Sequence, residues 1–170
     1  MRIQSLKKEF FERSAVAVAR DLIGKFIQRE GRTGLMITET EAYEGPDDKA
    51  SHARHGRTER NAPLYMPAGT IYVYRIYGVH WMLNVVCGAP DHPAAVLLRS
   101  AGEVTGPGRL AKALAVDQSF NAKPLGRPAG LWVEDRQVWI DPAKVAAAPR
   151  IGIGYAGDFI DKPWRFLLKG

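Results

Sequence analysis

The chain has 170 residues, 46% of them hydrophobic and 25% charged, proportions that give one domain a real core and exclude a disordered or low-complexity chain. Lys and Arg number 24 against 18 Asp and Glu, a net charge of +6 that favours polyanionic partners without demanding them. The single cysteine, Cys87, excludes an internal disulfide, and His52, His55, His80 and His92 lack zinc-ligand spacing, so no metal and no other cofactor is expected.

The opening MRIQSLKKEFFERS carries charges where a signal peptide needs an apolar segment, and no apolar run has the length of a membrane span. The expectation is a soluble, cytoplasmic protein without a membrane partner. Ser14 precedes AVAVARDLIG, in which Val16, Ala19 and Ile23 recur at helical spacing and Gly24 fits a C-terminal cap, which predicts one short helix. KFIQR and LMITETEAY flank a Gly-containing turn and read as a hairpin. Residues 45–69 are polar, Arg-rich and broken by Pro46, Pro63, Pro67 and Gly69, so they read as loop with at most short helices, one of them opening at Asp48.

TIYVYRIY and HWMLNVVC around Gly78 predict a second hairpin, and AAVLLRSA a further strand. Gly106-Pro107-Gly108 opens a helix with an apolar stripe of Leu110, Ala113 and Leu114; it lacks the Walker pattern of a phosphate loop. GLWVED and QVWI then read as a pair around a turn at Asp135-Arg136, followed by a Gly-rich loop, IGIGYAGD, and a closing strand, WRFLLK. Hairpins dominate. The fold class is therefore α+β: a single domain, residues 1–170, with a curved, mainly antiparallel β-sheet core, short helices around it and a protruding β-hairpin.

Within the strand LMITETEAY a period of two puts Leu35, Ile37, Glu39, Glu41 and Tyr43 on one side. An ionised carboxylate on a side that begins Leu-x-Ile is costly unless it is paired, hydrogen-bonded or put to use, which makes Glu41 the first catalytic candidate. Tyr72 and Tyr74 share a strand face, where cross-strand packing explains them as well as function does, whereas Tyr77 sits at the hairpin tip, poorly placed to fill a core and better suited to a wedge or stacking role. His52 lies across a Gly-Pro turn from Glu41, within reach of a common cleft, although a lone loop histidine is more often structural. Arg99 interrupts an apolar strand and needs a carboxylate, a phosphate or an exposed strand end. Arg54, Arg57 and Arg60 in HARHGRTERN could meet phosphates or simply face solvent. A buried carboxylate, a tip aromatic, aligned tyrosines and a basic loop together suit an enzyme that unstacks a base and works at its sugar.

TETEAYEGPDDKASH, RTERN, PAGTIYVYRIYGVHWMLNVV, AAVLLRS, GPGRLAKAL and RIGIGYAGD, in that order, closely resemble the alkyladenine (3-methyladenine) DNA glycosylases of the mammalian type, over nearly the whole chain. The resemblance implies a monomeric, monofunctional, metal-free enzyme of base excision repair. Its substrate would be double-stranded DNA containing damaged purines: 3-methyladenine, 7-methylguanine and, by extension, ethenoadenine or hypoxanthine. It assigns Glu41 to the attacking water, Arg99 to holding that water and the neighbouring phosphate, and Tyr43, His52 and Tyr74 to sandwiching the flipped base. Tyr77 would intercalate into the duplex, Asn84 would crowd the 2-amino group of guanine, and the backbone around Ala50 and His52 would read the base edge. Three departures from the family pattern stand out: Glu59 in place of the proline of RTPRN, Arg75 between the hairpin tyrosines, and SAGEV after Arg99.

Two rivals fit parts of this pattern. A non-catalytic nucleic-acid-binding module would use the tyrosines for stacking and the arginines for phosphates, but it leaves an inward carboxylate unexplained. A hydrolase of free nucleosides would need neither the hairpin tip nor the positive charge.

Overall fold

Ser14 accepts the Ala17 N–H on its side-chain oxygen at 3.2 Å, and the helix it caps runs Ala15–Asp21. Glu44 completes that helix start from another part of the chain, taking the N–H groups of Ala15 and Val16 at 3.2 and 2.8 Å. In the computed structural model, which describes residues 2–170, this helix is α2. Before it come β1 (Gln4–Ser5) and α1 (Lys8–Phe11). After it follow β2 (Phe26–Arg29), β3 (Leu35–Tyr43), β4 (Ile71–Ile76), β5 (His80–Cys87), β6 (Ala94–Ala101) and β7 (Val104–Thr105). The chain closes with α3 (Pro107–Ala113), β8 (Leu131–Asp135), β9 (Val145–Ala148) and β10 (Arg165–Leu168).

The strands pair antiparallel in the order β1-β8-β2-β3-β6-β5-β4, with β7 on β6 and β10 joining β3 to β9. β3 is long enough to meet β2 with its first half and β10 with its second, so the sheet curls about it. The predicted α+β class, the curved antiparallel sheet and both hairpins are present. α2 and α3 cover one face, where Val18, Leu22, Ile37, Leu98, Leu110 and Leu114 are buried in the main apolar cluster. The opposite face is overlaid by the two long irregular segments, through smaller clusters around Leu64 and Tyr72 and around Ala50 and Ile153.

The regular alternation expected in β3 fails at one place, and the site depends on it. The pairing of β3 with β6 is irregular at Ile37/Glu39 and Glu39/Thr40. Ile37 and Ala101 belong to the main core, but past the irregularity Ala42 does, opposite Val96, while Thr40, opposite Leu98 of that core, sends its hydroxyl 2.7 Å to the Ala19 carbonyl of α2. The alternation has slipped by one position in both strands. Glu41 therefore does not share the face of Leu35 and Ile37, as the period of two predicted. It lies with Glu39 and Arg99 on the opposite face.

Three local expectations are corrected. QVWI is not a strand: both edges of β8 are already occupied, by β1 and by β2, so the segment has no edge to join, and Trp139 stands 78% exposed. Asp48 opens no helix, because its carboxylate is spent on the N–H groups of Glu44 and Ala50 and the segment to residue 60 is turns; only a 3₁₀ turn at Ala62–Tyr65 interrupts the loop. On α3 the buried stripe is Leu110, Ala111 and Leu114, with Ala113 only partly buried.

Candidate active site

Between the two irregular segments lies a cavity of about 660 Å³ on the face away from the helices, a volume in the range of small-molecule sites. Glu41, Tyr43, Ala50, His52, Tyr74 and Asn84 all line it, as do Arg99, Arg60 and Tyr77. Arg54 and Arg57 do not. Their guanidiniums stack on the rings of Tyr155 and Tyr65, at 4.7 and 5.3 Å.

Glu41 has no exposed surface, yet each carboxylate oxygen has a partner. Oε1 accepts from Arg99 Nη1 at 3.1 Å and, weakly, from the Tyr43 hydroxyl at 3.4 Å; Oε2 accepts the Ile151 N–H at 2.8 Å. Burial raises the Glu41 carboxyl above the usual carboxylate range, and the Arg99 charge, the Ile151 N–H and the Arg150 charge oppose that rise. Arg99 is the bridge of a larger network. Its Nε donates to Glu39 Oε1 at 3.1 Å, and Glu39 also accepts from Arg165 and from the Ser100 hydroxyl, at 3.2 and 2.8 Å. Burial works to raise the Glu39 carboxyl, but these hydrogen bonds and the Arg99 charge outweigh it and hold it below its ordinary range. The two carboxylates thus differ by environment, one poised higher than the other.

The aromatic wall is built by β4 and the loop beside it. The His52 and Tyr74 rings meet edge to face at a centroid distance of 4.4 Å, and Tyr72 is 5.3 Å from Tyr74. His52 Nδ1 pairs with the Tyr72 hydroxyl at 3.0 Å, and burial, reinforced by the Arg60 and Arg54 charges, lowers the imidazole to about 4, so it is neutral at physiological pH. Burial raises the Tyr72 phenol to about 12 and pushes those of Tyr74 and Tyr43 upward as well. Asn84, on β5, is buried and donates to the carbonyls of Tyr72 and Met82 at 3.3 and 3.4 Å.

Tyr77 and Gly78 both take positive φ, 51° and 65°, in a turn closed by the Val79 N–H on the Ile76 carbonyl at 3.0 Å. The tyrosine ring is 90% exposed. A bulky residue in left-handed conformation with nothing packed on it is strain that the fold does not repay. Of the departures from the family pattern, Glu59 is exposed, and Arg75, itself among the residues that line the cavity, lays its guanidinium over Trp81 at 5.2 Å.

Four residues of the site were not anticipated from the sequence. Arg150, with a fully buried side chain, forms a two-pronged ion pair with Asp48 at 2.6 and 2.9 Å and donates to the Ala42 carbonyl at 2.9 Å. Its guanidinium lies 4.9 Å from the ring centres of both Tyr43 and Trp164. The other two, Ile151 and Tyr155, follow on the same Gly-rich segment. The signal available was a lone arginine in an otherwise apolar and glycine-rich run, the same kind of anomaly that marked Arg99.

The family model described as methylpurine-DNA glycosylase (MPG) matches residues 9–105 and 101–170. Two microbial proteins, each named "Putative 3-methyladenine DNA glycosylase", are similar over their length: one from Anaeromyxobacter sp. (strain Fw109-5), 44% identical over 97% of this chain and 89% of its own, and one from Methanocella arvoryzae, 40% identical over 96% and 92%. The DNA-3-methyladenine glycosylase of Mus musculus is 37% identical over 97% of this chain and 59% of the mouse protein. The chain belongs to the methylpurine-DNA glycosylase family and is a DNA glycosylase, a hydrolase acting on N-glycosyl bonds.

Proposed function

We propose that the protein is a monofunctional DNA glycosylase that takes an alkylated purine, 3-methyladenine or 7-methylguanine and by extension ethenoadenine or hypoxanthine, out of duplex DNA and hydrolyses its N-glycosidic bond with water. The observation that carries this reading is the position of Glu41, a carboxylate without exposed surface whose oxygens are held in the wall of an open, aromatic-lined cavity. Cleavage of the bond develops positive charge on the sugar. An ionised Glu41 stabilises that charge and accepts a proton from the attacking water, and its raised affinity for protons suits a general base. No amine of the chain is called on as nucleophile, so the product is an abasic site in an intact strand.

The cavity walls support the binding half of the reading. Tyr43, His52 and Tyr74 all line the cavity and in this reading sandwich the flipped purine, and a neutral His52 does not repel the cationic bases that alkylation produces. Tyr77 at the exposed tip takes the place of the extruded nucleotide, and Arg54, Arg57 and Arg60, with the net positive charge, follow the phosphates. The protein acts as a monomer in this scheme.

The test is single-turnover base release from duplexes carrying each lesion, at two salt concentrations, with Glu41→Gln as control. The expected result is release by the natural protein, slowed steeply by salt under subsaturating conditions, and loss of at least about a thousandfold in the variant with lesion binding kept. Appreciable turnover by Glu41→Gln would remove Glu41 from the role of base.

A further inference from the structure

Tyr155 lines the cavity and is 58% exposed, but its hydroxyl is fixed: it donates to the Ala50 carbonyl at 3.1 Å. Its ring is covered by the Arg54 guanidinium, 4.7 Å from the ring centre. The carbonyl it meets cannot swing away. Ala50 is buried, and the N–H that shares the peptide plane of its carbonyl, that of Ser51, donates to the Asp48 carbonyl at 2.9 Å, while the Asp48 carboxylate takes the Ala50 N–H at 3.0 Å and is locked by Arg150. A backbone acceptor on the wall of the cavity is thus immobile and already has a donor from this chain's own rim.

From this we infer that Tyr155 is a specificity-determining residue, which sets the balance between purines with an amino group and purines with an oxo group at C6 by keeping the Ala50 carbonyl occupied. The inference rests on the reading of the cavity as a purine site. A bare carbonyl attracts an exocyclic amino group and repels an oxo group, because a carbonyl only accepts hydrogen bonds. With a phenol hydroxyl already on it, the carbonyl gives the amino purine less and repels the oxo purine less. The present cavity therefore discriminates weakly at C6, and removing one oxygen atom from Tyr155 sharpens it. At more than half exposure the side chain carries little of the fold, so its loss leaves the cavity walls standing.

The experiment follows 3-methyladenine and 7-methylguanine released together from one methylated duplex DNA by the natural protein, by Tyr155→Phe and by Tyr155→Leu, under single-turnover conditions. The readout is the ratio of the two rates, which cancels any general loss of activity. Both variants are expected to raise the ratio of 3-methyladenine to 7-methylguanine by about fivefold, the worth of one neutral hydrogen bond, and to slow release of hypoxanthine from a separate duplex. An unchanged ratio, whether the rates hold or fall together, overturns the inference while leaving the glycosylase reading intact. Failure of the natural protein to release either base overturns the reading of the site, and the role of Tyr155 with it.

Discussion

The backbone N–H of Ile151 reaches Oε2 of Glu41 at 2.8 Å, joining residues 110 positions apart. What holds Ile151 there is its neighbour. Arg150 is anchored on Asp48 and on the Ala42 carbonyl, so the Gly-rich segment is pinned to the end of β3 and to the loop at 45–52 at once. Arg150 is a positioning residue for both halves of the cavity.

Replacing Arg150 with Met leaves Asp48 buried without its counter-charge, which is expected to cost about 3–5 kcal/mol of stability. Arg150→Lys keeps a charge but cannot serve both Asp48 oxygens and the Ala42 carbonyl in a fixed fork. The Lys protein should melt closer to the natural one and still release bases at least about tenfold more slowly at saturating DNA, because Ile151 loses its alignment on Glu41. Thermal melts and single-turnover rates check both, and a Lys protein with the natural rate would separate Arg150 from the chemistry.

Arg99 is the largest of the influences opposing the rise of the Glu41 carboxyl. A general base works ionised, so the rate is full above its folded pKa and falls as pH drops through it. Arg99→Gln removes the opposing charge and also exposes Glu41 to Glu39 unscreened, and both changes favour the protonated form. The acid limb of the rate profile, already above the ordinary carboxylate range in the natural protein, should move to higher pH in the variant. A lowered plateau with an unmoved limb would mean that Arg99 acts on the reaction by another route.

His52 gives the pH dependence of stability an opposite reading to that of a paired histidine. Its folded pKa is lowered from 6.5 to about 4, with burial the main cause. The unfolded chain therefore binds the proton first, and stability falls as pH drops from about 6.5 towards about 4. His52→Gln removes that contribution. Urea unfolding at pH 7 and pH 5 should show the natural protein losing more stability on acidification than the variant; equal losses would place the dependence elsewhere.

The chain makes its hairpins and its anomalies easy to read and its closures hard. Glu41 and Arg99 stand out because charge in an apolar strand needs an explanation, and they explain each other at 3.1 Å. Tyr77 stands out because a tip has no core to fill. The face that Glu41 occupies was not legible, because the slip in β3 is matched by one in β6 and neither strand alone reveals it. Asp48 and Arg150 were missed for a related reason: a pair separated by 102 residues has no local pattern, and only the fold brings the two together. QVWI has a strand's composition and no edge to use, a fact of topology that composition does not carry.

Tyr77 provides the sharpest separation of stability from function. At φ 51° its backbone is strained by roughly 1–2 kcal/mol, and a ring 90% exposed gains nothing from packing to offset it. Asn tolerates the left-handed conformation better than Tyr and does not stack. Tyr77→Asn is therefore expected to melt at the same temperature or slightly higher, while binding to a lesion duplex and to an abasic-site duplex weakens by about tenfold or more, the loss of one stacking contact of about 1–3 kcal/mol. Fluorescence anisotropy and thermal melting on the same preparations give both numbers. If the variant binds both duplexes as the natural protein does, the tip is not a wedge, and the strain in its backbone must serve something other than DNA.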